Sequence, residues 1–225
     1  GYSIDSIGPS IINCAHKDTV VIPVLNVYGT GARIAANAPG VNVLDGCIYI
    51  VGFKSGIGEI TQMGDIFHLV YGVPRGRTVA AGTLDRINRD LTAAGIKVTL
   101  SDDIDRDTFI KWSYISAMAL TGAYFDIPMG PIQHPGKERD LFIGLTRESK
   151  AIGEKLGIDF GCDLVEHHLA VMDSLDPHST ASLQKDLKAG HESEIQGQLF
   201  DIIDRARTLG IPTPVYDTVA TRFRK

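Results

Sequence analysis

The stretch "VVIPVLNVYGTGARI", Val20 to Ile34, decides how the first part of the chain folds. An apolar, β-branched run of this kind reads as a buried strand of the type found in parallel sheets. It meets Asn26, then Gly29-x-Gly31, then an alanine-containing segment able to open a helix. A dinucleotide-binding turn needs Gly-x-Gly-x-x-Gly, because the third glycine lets the helix pack close to the strand while its N-terminus holds a pyrophosphate. The third position here is Ile34. The two glycines therefore read as turn residues of a plain βα connection, and the question becomes what Asn26 does at the end of the strand.

Working outward, "VNVLDGCIYIVGF" (Val41 to Phe53) is a second, longer strand pattern. "EITQMG" and "IFHLVYG" follow at short spacing and suit a hairpin with Gly64-Asp65 at its turn. "AAGTLDRINRDLTAAG" has apolar residues at Leu84, Ile87 and Leu91 and ends at Gly95, a helix with its C-cap, before "IKVTL" returns as a strand. Strand, helix and strand in that order indicate an α/β layer over residues 1–101.

From Ser101 the character changes. "SDDIDRDTFIKWSYISAMALTGAYF" carries aspartate caps and then a helix too apolar to face solvent. "KERDLFIGLTRESKAIGEKLG", "DLVEHHLAVMDSL", "ASLQKDLKAG" and "SEIQGQLFDIIDRARTLG" continue as helices, and Pro212 and Pro214 set off a last short one. Residues 102–225 read as an all-helical domain, giving an α/β plus all-α chain.

The composition excludes several classes of function. A chain of 225 residues, 44% apolar and 22% charged, has the balance of a globular protein, and a net charge of -5 gives phosphates no concentrated basic surface to meet. No apolar run approaches the roughly 20 residues that cross a bilayer, and no basic n-region precedes an apolar one, so the expected compartment is the cytoplasm. Cys14, Cys47 and Cys162 form no Cys-x-x-Cys pair and read as free, mostly buried thiols. No metal site is indicated: the adjacent His167 and His168 of "EHH" point to different helix faces and read as solvent-facing. Lys111, inside an otherwise apolar helix, either snorkels to the surface or is held for chemistry.

The order and spacing of several segments carry a resemblance over nearly the whole chain. A strand ending in asparagine ("VIPVLN"), the approach "GIKVTLSDDI" to a long helix, a lysine (Lys111) followed at fixed distance by a Pro-x-Gly segment ("IPMG"), "SLQKD" followed by "SEIQ", and the closing "GIPTPVYDTV" together resemble the ketopantoate reductase (2-dehydropantoate 2-reductase) family. The resemblance implies the C-terminal half of a Rossmann-type NADP-binding domain followed by an all-helical domain like that of 6-phosphogluconate dehydrogenase. It also implies NADP(H) as cofactor, a small 2-keto acid as substrate and a homodimer formed through the helical domain. Lys111 would protonate the substrate carbonyl oxygen, and Glu194 would orient Lys111 and touch the ribose side of the cofactor. Ser182 would hydrogen-bond the substrate. Asn26 would bridge nicotinamide ribose and substrate, with Gly52 also on the cofactor side.

Two departures from the family stand out. Asparagines four, eight and eighteen residues after the lysine are replaced by Ile115, Ala119 and Met129. Ile115 and Ala119 would then give the substrate pocket a less polar wall than a dihydroxy acid such as pantoate calls for. The family's opening strand, Gly-x-Gly-x-x-Gly and first βαβ unit, about 70 to 90 residues by the size of such units, lie outside this sequence. The chain is thus expected to be either a fragment or a truncated form that holds NADP(H) poorly by itself. Three readings follow: an NADPH-dependent 2-keto acid reductase; a related 3-hydroxyacid or opine-type dehydrogenase; and a non-catalytic helical module for oligomerisation.

Overall fold

The apolar run at Val20 contributes less regular strand than its sequence suggests. In the computed structural model, which describes residues 3–224, pairing is confined to β1 (Val20–Val21), parallel to β2 (Asn42–Val43). Pro23 has no N–H to continue the ladder, and the chain runs on in extended form to Asn26. A helix α1 (Gly8–Cys14) precedes β1, and α2 (Thr30–Asn37) lies between β1 and β2.

The second sheet is built from β3 (Asp45–Gly56), β4 (Glu59–Gly72) and β5 (Lys97–Leu100). β3 and β4 form a long antiparallel hairpin, and β5 adds parallel to β4 after α3 (Thr83–Ala93), which ends at Gly95 as its sequence requires. The hairpin turn is not at Gly64-Asp65. It falls at Ile57-Gly58, and Gly64, at φ +70, lies in a bulge where the register jumps from Val51↔Met63 to Ile50↔Phe67. Glycine in left-handed conformation serves a bulge as readily as a turn, so the dipeptide alone does not separate the two.

The chain then enters α4 (Ile104–Phe125) and continues through α5 (Lys137–Lys155), α6 (Leu164–Asp173), α7 (Ser182–Ala189), α8 (Asp201–Leu209) and α9 (Pro214–Phe223), with a π-helical turn at Gln196–Phe200 directly before α8. The chain divides into two compact units. One contains Ser3–Leu25 and Gly29–Thr108; the other contains Asn26–Tyr28 and residues 109–224.

In the helical unit Phe109, Trp112, Leu120, Phe142, Leu145 and Tyr216 are buried in one core, each large side chain contributing roughly 1.5–3 kcal/mol by leaving water. Asp163 caps α6 by accepting from the backbone N–H groups of Val165 and Glu166, and the Glu148 carboxylate does the same for Val215 and Tyr216 at the start of α9. His168, expected in solvent, is fully buried; only its neighbour His167 is exposed. Its Nε2 faces the Ile110 carbonyl at 3.2 Å, and burial, with the adjacent His167, pulls its pKa down to about 4, so the ring is neutral and belongs to the core. Of the three free thiols, Cys47 is buried, whereas Cys14 and Cys162 are exposed, against the expectation from composition.

In the α/β unit, Gly31 has a role the sequence did not reveal. Its N–H donates to Asp45 Oδ1 at 2.9 Å, and a side chain at Gly31 would collide with the Asp45 carboxyl and the Leu44 carbonyl. Burial raises the Asp45 pKa from 3.8 to about 6, against the opposing bond from Gly31. The unfolded chain therefore ionises Asp45 first as pH rises, and the fold loses stability between about pH 4 and 6, by about 3 kcal/mol in all. Asp45→Asn keeps an oxygen for Gly31 without the charge. Denaturant titrations are expected to show the variant gaining on the parent across that interval, with the difference constant above about pH 7.

Candidate active site

Asn26 is separated by 85 residues from the lysine it meets. The Lys111 ammonium donates to Asn26 Oδ1 at 2.6 Å, and both residues belong to the helical unit. Lys111 does not snorkel: it is 8% exposed, with its amine held by a neutral amide oxygen.

The segment after Asn26 explains how the pair is fixed. Val27 is buried, and Tyr28 packs edge-on against Phe109 at 5.0 Å and beside Trp112 at 5.6 Å, both on α4 around Lys111. Arg205 of α8 covers the other side, its guanidinium carbon 5.2 Å from the Tyr28 ring centre. The π-helical turn closes in from a third direction. The Trp112 Nε1–H donates to the Gly197 carbonyl at 3.4 Å, and Gly197 leaves no room for a Cβ beside Val27. Glu194, half-buried at the entry to this turn, accepts from Gln198 Nε2 at 3.2 Å.

A buried polar chain supports the same elements. Ser116 Oγ on α4 donates to the Gln198 carbonyl at 2.7 Å and lies 3.2 Å from Tyr216 Oη, which in turn meets Ser149 Oγ at 2.8 Å. α4, the π-helical turn, α5 and α9 are thereby tied around the base of the site.

The other expected residues are placed as follows. Ser182 is exposed in the first turn of α7, which is anchored by Gln184: this amide bonds the Ala181 N–H and the Ile127 carbonyl and fills the space left by Gly122 on α4. Gly122 is eleven residues beyond Lys111, about 16 Å along the helix, so Ser182 stands toward the far end of the same helix. Ile115 is half-buried, whereas Ala119 and Met129 are each 1% exposed and packed into the core. Helical geometry puts Met118, also half-buried, on the stripe of Lys111 and Gly122. Sequence reasoning passed over this residue, although its i+7 spacing from Lys111 was available. Gly52 is in the exposed outer half of β3, within the other compact unit.

Residues 103–225, more than half of the chain, match the family described as ketopantoate reductase PanE/ApbA C terminal. The chain belongs to the ketopantoate reductase family. A Bacillus subtilis oxidoreductase, YkpB, is 26% identical to it over 219 residues, which span 97% of this chain and 71% of the relative. A PanE/ApbA family ketopantoate reductase from Ralstonia eutropha JMP134 superposes with a TM-score of 0.86 at 19% identity, covering 97% of this chain and 70% of its own. A dimeric ketopantoate reductase from Staphylococcus aureus does so at 0.82 and 23%, covering 98% and 72%. D-mandelate dehydrogenase in complex with NADH is similar at 0.83 and 20%, covering 97% and 73%. The fold is thus that of the ketopantoate reductases, a family of oxidoreductases, and among the described residues no helix is long and apolar enough to cross a membrane.

Proposed function

We propose that the protein reduces a 2-keto acid with an apolar side chain to the 2-hydroxy acid, using NADPH as hydride donor and Lys111 as general acid. The observation carrying this reading is the buried Lys111 ammonium, fixed 2.6 Å from Asn26 Oδ1. A positively charged donor of this kind, held where water is scarce, suits an oxygen on which negative charge develops.

The nicotinamide, when bound, supplies the hydride to the keto carbon. Lys111 gives a proton to the keto oxygen as that charge appears and recovers one from solvent. Asn26 keeps the ammonium directed and offers its amide N–H groups to a hydroxyl; the Glu194 carboxylate accepts from a hydroxyl or from the lysine. Ser182 supplies a hydroxyl for the end of the substrate away from its keto group. These donors and acceptors fit the reacting end of a nicotinamide nucleotide. The α2 N-terminus does not fit the pyrophosphate, because the Gly31 N–H already binds Asp45 and a carboxylate there repels phosphate.

Two observations favour an apolar substrate. Ile115 and Met118 give the Lys111 face of α4 an apolar surface, and one of the similar structures is D-mandelate dehydrogenase with NADH and anilino(oxo)acetate, an aryl analogue of a 2-keto acid. Ile115→Asn is the test: placing an amide one turn from Lys111 should improve the ratio of kcat/KM for ketopantoate over phenylglyoxylate by about tenfold, the value of one well-placed hydrogen bond. An unchanged ratio would remove Ile115 from the substrate wall.

A further inference from the structure

The amide of Gln198 is 1% exposed, yet only half of it is used. Its Nε2 donates to Glu194 Oε2 at 3.2 Å, while its Oε1 is buried without a hydrogen-bond partner among the described residues. A leucine or methionine of similar volume would fill the same space without the cost of an unsatisfied carbonyl oxygen. Packing therefore does not explain this residue, and among the described residues the hydrogen bond of its side chain is with Glu194.

The backbone around Gln198 is unusually well fixed. Its N–H donates to the Glu194 carbonyl at 2.9 Å, its own carbonyl receives the Ser116 hydroxyl, and the carbonyl of the preceding Gly197 receives the Trp112 indole N–H. Both bonds from α4 land on a π-helical turn, where the widened backbone frees carbonyls from the regular ladder. Glu194 has three rotatable side-chain bonds and is half-buried, so its carboxylate direction depends on what grips it. Gln198 supplies a rigid grip anchored to the helix that carries Lys111.

We propose that Gln198 is a positioning residue: its buried amide fixes the direction of the Glu194 carboxylate relative to α4, at the expense of an unsatisfied acceptor. This inference rests on the reading of Glu194 as a group that meets the cofactor or Lys111. It separates stability from activity in a way that a packing role does not.

The test is a double-mutant cycle in the full gene product with Gln198→Leu and Glu194→Gln, reading kcat/KM for keto acid reduction, the dissociation constant for NADPH by fluorescence titration, and the thermal midpoint. Gln198→Leu is expected to lower kcat/KM about tenfold or more and to weaken NADPH binding, with a thermal midpoint no lower than the parent's; in the Glu194→Gln background it should have no further effect. Gln198→Met, which keeps the side-chain length, carries the same expectations. Parental activity in both Gln198 variants, or losses that persist in the Glu194→Gln background or follow a falling thermal midpoint, would overturn the positioning role. Parental kinetics and binding in Glu194→Gln alone would overturn the reading of Glu194, and this proposal with it.

Discussion

Lys111→Ala is expected to lower turnover of the full gene product by about a hundredfold to ten-thousandfold, the range for loss of a general acid. The expectation follows from where the amine is. It is buried, its hydrogen bond to Asn26 Oδ1 is short, and Tyr28, Phe109 and Trp112 pack around the two backbone segments that bear the pair. In the proposed reaction, removing the amine leaves only the Asn26 amide oxygen facing the keto oxygen, and an oxygen acceptor cannot stabilise a developing alkoxide. Substrate binding should change far less than kcat, because the proton is needed mainly in the transition state. Steady-state kinetics separate the two quantities. A variant with normal kcat would show that another group delivers the proton.

Gly197→Ala should damage the site from a distance. A Cβ at this position would approach the Val27 methyl carbons to 2.7 Å, closer than van der Waals contact allows, and Val27 is bonded directly to Asn26. Gly197 has no left-handed backbone, so the cost arises from crowding alone and amounts to about 1–3 kcal/mol of stability. The larger consequence is kinetic. A displacement of Asn26 approaching 1 Å misdirects the Lys111 amine, and errors of that size cost about a hundredfold in rate. Turnover falling by tenfold or more in a variant that still unfolds cooperatively is the expected result. Parental turnover would show that the turn can retreat without disturbing Asn26.

The residues proposed for the chemistry were partly legible because they fall at recognisable places in a pattern. Lys111 interrupts an apolar helix, Asn26 ends an apolar run, and their spacing relative to "IPMG", "SLQKD" and "SEIQ" carries the family resemblance that the helical region's match supports. What holds these residues was not legible. Tyr28 on Trp112, Gly197 against Val27 and Ser116 on the Gln198 carbonyl each join positions more than eighty residues apart, and no local periodicity encodes such pairs. Gly197 did leave a trace, as a glycine inside an otherwise helical pattern, which often marks a close approach.

The local errors have equally specific origins. Gly64-Asp65 has the chemistry of a turn, but β4 continues through it because a bulge uses the same backbone conformation. His167 and His168 point to different helix faces, about 100° apart, and both read as solvent-facing; one of the two directions leads into the core, where His168 is buried. Ala119 is expected on the substrate wall from the family resemblance; it stands eight residues after Lys111, where two steps of four residues rotate it about 80° from the lysine, and it is buried in the core. Met118 lies closer to the Lys111 direction for the same geometric reason.

The most direct test of the account follows the label in hydride transfer. The full gene product is incubated with NADPH carrying deuterium at the transferable C4 position and with phenylglyoxylate, and the product is analysed by mass spectrometry and NMR. The expected product is 2-hydroxy acid with deuterium bonded to C2, formed by the parent and at a rate lower by at least a hundredfold in Lys111→Ala. Absence of labelled hydroxy acid with phenylglyoxylate, with other apolar 2-keto acids and with ketopantoate would contradict the proposed reduction.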